Sequence, residues 1–503
     1  MLAPSKPITR KSTAKKLAAY KLAAKKLATN KSAKKPKRQT KKSITLRQVR
    51  KEVEARRDCD QLLLPKIFDD QTVQQMAQKF GPTGRQRLYT VPQTLALFVD
   101  QVLSKNCGCQ ETVHRFNTQR KAQQLLPVST NTSSYCAARL RLPLQLIQKL
   151  MQRTAELAES KVPADWLWQG RRIVLLDGLV VDAPDTPENQ EIYPQPSSQK
   201  PGLGFPQIRL TAAIGLATGV VLDVKYGPVE GKKTGESTQF RQMVRTFRPG
   251  DIIVADSNFE SYRDLATMKQ KGVDMVCDKN GTRRSPFTGE CRSIEETIKR
   301  LYKPKFDKSR LRRREWQSLP EYLDVRIIRY KVGGRKKEVT IVTTLLDKET
   351  YSAEDIAQLY GYRWNCELDI RSIKAVMGMA ELSCHTPPML ERELLVYLLA
   401  YNLIRVAMSD AAQIAKLTPR QLSFKSAKDA WLNLAVQSKQ DRYAANADSE
   451  AQTNDYAWLL WSIATGKLTA RPGRQEPRKI KRRNSKYEYL KQPRNAEKAA
   501  LAT

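Results

Sequence analysis

The first 51 residues contain neither Asp nor Glu, while Lys and Arg recur in stretches such as KKLAAYKLAAKKLATNKSAKKPKRQTKK. A segment of that composition cannot bury enough apolar surface to fold alone, so residues 1–57 are expected to be a disordered Lys-rich tail. Its excess of Lys over Arg and Ser speaks against an organelle transit peptide and for a polycationic arm or a solubility tail. Histidine is nearly missing: His114 and His385 are the only two, and the eight cysteines include no Cys-x-x-Cys pair. A zinc site is therefore not expected, and reduced thiols in a reducing compartment are the simplest reading. No apolar run approaches the roughly 20 residues of a membrane span, and there is no signal-peptide core.

What the chain does have is positive charge. Lys plus Arg number 89 against 51 Asp plus Glu, a formal net charge of +38 over 503 residues. A field of that sign recruits polyanions, with nucleic acid first among them. From Cys59 to about Trp168 the pattern is helical. One helix is expected behind Pro92, with Leu95, Phe98, Val99 and Val102 on its apolar stripe, and a capped pair hinged at Pro143. At Arg171 the period changes to β-rich runs (RRIVLLDGLVVDAPD, QIRLTAAIGL, GVVLDVKYG, DIIVADSNF, VDMVCDK, EVTIVTTLLD) separated by helical stretches, which argues for an α/β sheet with helices on its faces. Residues 279–338 interrupt this with a Gly-, Pro- and Lys/Arg-rich insertion and a hairpin turning at Gly333-Gly334. An apolar core helix follows Pro388, and weaker helices and a basic tail end the chain.

Three carboxylates stand out. Asp177 and Asp256 each follow an apolar strand-like run, the place where α/β sheets carry chemistry. The third is Glu367, inside LYGYRWNCELDIRSIKAVMGMAEL. With a capping signal at Ser352-Ala-Glu-Asp, that stretch is expected to be one helix over Leu359–Leu382. At about 100° per residue, Tyr360, Arg363, Glu367, Arg371 and Lys374 share one arc roughly 80° wide, while Asp369 projects from the opposite side. Any one of these carboxylates taken alone is an ordinary turn residue or helix-surface ion pair. Together, three oxygen donors with scarcely any His favour hard cations, Mg²⁺ or Mn²⁺. Two such ions about 4 Å apart suit phosphodiester chemistry, with the neighbouring cations holding phosphate oxygens.

These residues carry a resemblance. The spacing Tyr360, Arg363, Glu367, Lys374 resembles the Y-(2)-R-(3)-E-(6)-K signature of DDE transposases of the bacterial insertion-sequence-four type. LLDGLVVDAPDTPEN, VADSNFESY, TTLLD and LLAYNLIR follow in the expected order. The resemblance implies an RNase H-like mixed sheet flanked by helices, with Asp177, Asp256 and Glu367 as the catalytic triad and ligands of two Mg²⁺ or Mn²⁺ ions. Tyr360, Arg363 and Lys374 are implied as phosphate or DNA contacts. It implies cut-and-paste transposition: hydrolysis at the terminal inverted repeats, then strand transfer into target DNA by the freed 3′-OH. A homodimer acting on double-stranded DNA in the bacterial cytoplasm, at the nucleoid, is implied as well. The expected organisation is a tail (1–57), a helical DNA-end-binding domain (58–168), a catalytic domain (169–278 and 339–415), an insertion subdomain (279–338) and a helical C-terminal region with a basic tail (416–503). Two positions stay open: Arg283 or Arg284 for an expected arginine, and Trp316 for a base-stacking residue. The alternatives are an RNase H-like structure-specific nuclease and a domesticated, non-catalytic DNA-binding protein.

Overall fold

In the computed structural model, which describes residues 44–58, 88–104, 108–279, 291–308, 311–332, 338–441 and 449–468 with a few isolated positions besides, eight strands form one mixed sheet. They are β1 (Ile173–Asp182), β2 (Gln207–Gly215), β3 (Val221–Pro228), β4 (Ile252–Ala255), β5 (Asp274–Asp278), β6 (Cys291–Tyr302), β7 (Tyr322–Val332) and β8 (Glu338–Thr343), in the order β3-β2-β1-β4-β5-β8-β7-β6. The first three strands are an antiparallel meander; β4 and β5 then add parallel to β1 on its other side. This is the mixed sheet that the resemblance implies, an antiparallel meander on one side of β1 and parallel strands on the other. The central strands are buried along nearly their whole length, which is why their sequences are continuous apolar runs rather than alternating ones.

The expected insertion does not make a sheet of its own. β7 pairs with β8 and β6 with β7, both antiparallel, so this segment lengthens the central sheet. The Lys331↔Glu338 pair closes the expected hairpin, whose Gly333-Gly334 turn lies outside the described residues.

Helices cover the sheet and build the N-terminal part. They are α1 (Leu46–Asp58), α2 (Val91–Leu103), α3 (Cys109–Ala122), α4 (Ser133–Arg141), α5 (Leu144–Ser160), α6 (Pro187–Ile192), α7 (Glu236–Gln242), α8 (Tyr262–Gln270), α9 (Arg313–Ser318), α10 (Ala353–Gly361), α11 (Trp364–Arg371), α12 (Pro387–Ile414), α13 (Phe424–Asp441) and α14 (Ser449–Thr465). α2 starts as its sequence implies: Thr90 accepts a bond from the Gln93 N–H, Pro92 sits in the first turn, and Leu95, Phe98, Val99 and Val102 are buried. α1 corrects the expected tail boundary. Val49 and Val53, one turn apart, are fully buried, Trp461 Nε1 donates to the Ile44 carbonyl, and Arg56 donates to Gln413. A two-residue apolar stripe is too short to stand out in a basic sequence, but it suffices once another helix receives it. Residues 1–43 lie outside the described residues, as does the basic tail beyond 468.

α12 is the hub on which α2, α5, α13 and α14 pack. It corrects the expectation about long apolar runs, because it is long and apolar enough by composition to cross a membrane. It is instead enclosed by protein, and its polar side chains are satisfied there. Glu393 accepts from the Ser383 and Cys384 N–H groups, and Tyr456 donates to Asp410. Asn402 pairs with both backbone groups of Val221, at 2.8 and 2.9 Å.

Candidate active site

Asp177 and Asp256 meet through strand register. β1 and β4 run parallel with Ile173 opposite Ile252 and Leu175 opposite Val254. Two more rungs at the same offset set Asp177 beside Asp256. The expectation that both aspartates end their strands holds for Asp256, which follows β4 directly. It is corrected for Asp177: β1 continues to Asp182, paired with β2. Because β4 is only four residues long, the outer half of β1 loses its neighbour at Asp177 and leaves a ledge there. Asp256 is oriented by the Asn258 N–H at 2.9 Å, and Asp177 by the Gly178 N–H at 2.8 Å.

Glu367 reaches this ledge from α11. The single helix expected over Leu359–Leu382 is in fact α10, a tight turn, α11 and a π turn (Ser372–Val376), ending before Gly378, whose φ of +93° a residue with a β-carbon resists. At the break the Tyr362 and Arg363 N–H groups bond three residues back, to Leu359 and Tyr360, which overwinds the chain. At the π turn Met377 N–H bonds five residues back, to Ser372, which unwinds it. A regular 100° wheel therefore misplaces residues beyond either point.

Arg363, on the cap of α11, connects the carboxylates: its guanidinium lies 2.6 Å from Glu367 and 3.5 Å from Asp177. Tyr360 is buried next to it. Lys374, in the π turn, donates at 2.6 Å to the carbonyl of Val180, so it fastens the turn to β1. Asp369 projects away as expected and is fully buried between Arg405 and Arg420. Arg371 is exposed. Trp316 is half-buried, donating to the Pro304 carbonyl with Lys303 over its ring and Phe306 at its edge. Arg283 and Arg284 lie outside the described residues.

A fourth carboxylate was missed by the sequence reading. Glu236 opens α7 and faces Gly178 so closely that a β-carbon there would lie 2.1 Å from its Oε1. Asn258 Nδ2 bridges Glu236 and Asp256, at 3.1 and 3.4 Å. A glutamate in a helix's first turn is commonplace, so nothing in the sequence marked it. Burial, and after it the crowding of like charge, shapes the protonation equilibria. Burial pushes Asp177 up to about 6, with Asp256 and Glu236 adding to the rise and Arg363 opposing it. Burial also raises Asp256 and Glu236. Among the described residues no three His, Cys, Asp or Glu side chains yet stand close enough to hold an ion, since Arg363 occupies the space between Asp177 and Glu367. The donor set, all carboxylate oxygen with no His or Cys, is of the kind that binds hard divalent cations.

Residues 168–403, which include Asp177, Glu236, Asp256, Tyr360, Arg363, Glu367 and Lys374, match the family described as Transposase DDE domain. The mixed sheet and the D, D and E positions in order agree with that match, so this segment, a little under half of the chain, is a transposase DDE domain. Over 366 residues, 71% of this chain and 77% of the relative, it is 25% identical to the transposase InsG for insertion sequence element IS4 of Escherichia coli. A chain from the piggyBac transposase synaptic complex with hairpin DNA aligns with 82% of this chain and 86% of its own length at 11% identity, with a TM-score of 0.39.

Proposed function

We propose that Asp177, Asp256 and Glu367 are the catalytic carboxylates of a cut-and-paste reaction on the terminal inverted repeats of the protein's own element. The observation that carries this is the meeting of register-matched Asp177 and Asp256 with Glu367 through one arginine. The three carboxylates would hold two Mg²⁺ or Mn²⁺ ions. Bound there, the ions supply electrophilic stabilisation of the phosphate and make the attacking hydroxyl more acidic. Arg363 keeps the half-buried carboxylates compensated until substrate arrives, then exchanges them for non-bridging phosphate oxygens, for which a guanidinium fork is suited. Lys374 and Tyr360 act one layer back: Lys374 holds α11 against β1, and Tyr360 supports Arg363. As direct phosphate contacts, Lys374 would first have to leave the Val180 carbonyl and Tyr360 its buried position.

The polynucleotide partner follows from the net charge of +38, and double-stranded element ends and target DNA are its proposed forms. The helical part before β1 is proposed as the end-binding region, and a homodimer as the active assembly, in a bacterial cytoplasm at the nucleoid. The test uses purified protein, Mg²⁺ and DNA bearing the flanking inverted repeats. Asp177→Asn, Asp256→Asn and Glu367→Gln should each abolish cleavage and joining while end binding persists. Near-full cleavage by any one would remove that residue from the triad, and cleavage without joined product would favour a nuclease. Ion binding is read separately: Mn²⁺ at a hundredfold excess over Kd should stabilise the protein by about 2.7 kcal/mol, and Asp177→Asn should erase the shift.

A further inference from the structure

Arg139, in α4, is a buried guanidinium without a carboxylate. Its Nη1 lies 3.3 Å from Gln101 Oε1, its Nη2 donates to Cys136 Sγ at 3.7 Å, and its plane stacks on Phe98 and Tyr135. No ion pair to Asp or Glu forms among the described residues, and the groups that favour its charge are Cys384, Cys109, Tyr135 and Cys136. A buried cation needs a counter-anion, and the acids that favour its charge most among the described residues are thiols and a phenol. Cys136 is the best placed: it touches the guanidinium and is half-buried, within reach of small solutes. Cys109, the first residue of α3, lies 3.7 Å from it, sulfur to sulfur, and receives the Gln101 amide at 3.5 Å.

We propose that Cys136 and Cys109 form a peroxide-sensitive dithiol site, with Cys136 the attacking thiolate held by Arg139 and Cys109 the resolving thiol. Consistently, Cys136 is drawn down to about 5 by Cys109 and Arg139, whereas burial holds Cys384 well above the usual thiol range. In the first step the Cys136 thiolate attacks the terminal oxygen of a hydroperoxide. The O–O bond breaks, the other oxygen leaves as an alkoxide or hydroxide that takes a proton, and Cys136 becomes a sulfenic acid. In the second step the Cys109 sulfur attacks the Cys136 sulfur, the S–O bond breaks and water leaves. Overall two thiols lose two electrons and two protons, the peroxide gains both, and the S–S bond ties the start of α3 to α4.

The test uses the full-length reduced protein and dilute hydrogen peroxide, followed by blocking of remaining thiols under denaturing conditions and peptide mass spectrometry. The expected result is a Cys109–Cys136 linked peptide that has lost two hydrogens and disappears on reduction with a dithiol. In Cys109→Ser a sulfenic acid on Cys136, trappable by a dimedone reagent, should replace the link. In Cys136→Ser the peroxide consumption at this site should stop. Because either serine variant could perturb packing, the wild-type rate of iodoacetamide alkylation is measured as well. Cys136 should react at least tenfold faster than Cys384 at neutral pH. Equal alkylation rates, or peroxide oxidation distributed over all cysteines without the Cys109–Cys136 link, would overturn the proposal.

Discussion

Glu236 stands over Gly178, and a β-carbon at position 178 would lie 2.1 Å from the glutamate's Oε1. The glycine is present for space, not for backbone freedom. It sits next to Asp177 in β1, and the glutamate's other oxygen is tied through Asn258 to Asp256. The pair therefore couples the two aspartate-bearing strands to α7.

Gly178→Ala should cost about 1–3 kcal/mol of stability by overpacking. Shortening the partner should relieve it, so the double variant Gly178→Ala, Glu236→Ala should be more stable than the two single effects predict by addition. A urea-unfolding double-mutant cycle checks this, and strict additivity would mean the contact does not form.

Asp369 and Glu367 leave one helix on different sides and should behave differently. Asp369→Asn leaves Arg405 and Arg420 as uncompensated buried charges and should destabilise the fold by about 3–5 kcal/mol. Glu367 is partly exposed and, among the described residues, its ion pair is with Arg363, so Glu367→Gln should change stability little. Thermal unfolding of the two variants separates a structural carboxylate from a functional one; equal losses would contradict the assignment.

Acid sensitivity should trace in part to Asp274. Burial alone would raise its pKa, but bonds from Lys269 at 2.7 Å, Arg171 at 2.8 Å and Thr344 at 2.8 Å outweigh that and hold the carboxyl below the usual aspartate range. A depressed folded pKa contributes stability in full above the unfolded value of about 4, and that contribution is lost as pH falls through the lower folded value. Asp274→Asn should be less stable than wild type at neutral pH, and the difference should shrink on acidification. Unfolding free energies measured across that range decide it; a difference that grows toward acid would refute the sign.

The Lys-rich residues 1–51 should bind DNA without sequence preference. If they neutralise about 6 phosphates, the log–log dependence of affinity on salt should carry a slope of roughly −5 from this segment. Deleting residues 1–43, which leaves α1 intact, should flatten the slope without abolishing end-specific cleavage. An unchanged slope would mean that the segment does not touch DNA.

Much of the catalytic frame could be read from the chain alone. Apolar runs before Asp177 and Asp256 announced strands because a strand buried on both faces must be apolar throughout, and Pro92 and the capping signal at Ser352 marked helix starts because a first-turn proline needs no N–H partner and a capping hydroxyl satisfies a free N–H. Local pattern also separated Asp369 from Glu367, since a few residues of regular helix suffice to tell opposite faces apart. What it could not supply depends on partners distant in sequence. The parallel register that sets Asp177 beside Asp256, the tie from Lys374 to Val180, the position of Glu236 over Gly178 and the docking of Val49 and Val53 all arise when separate segments pack. Even within the Glu367 helix, the overwound and π turns occur where Arg363 and Lys374 reach β1 and Asp369 reaches α12. Periodicity determines which side of an element a residue takes; only the assembled core decides what it meets there.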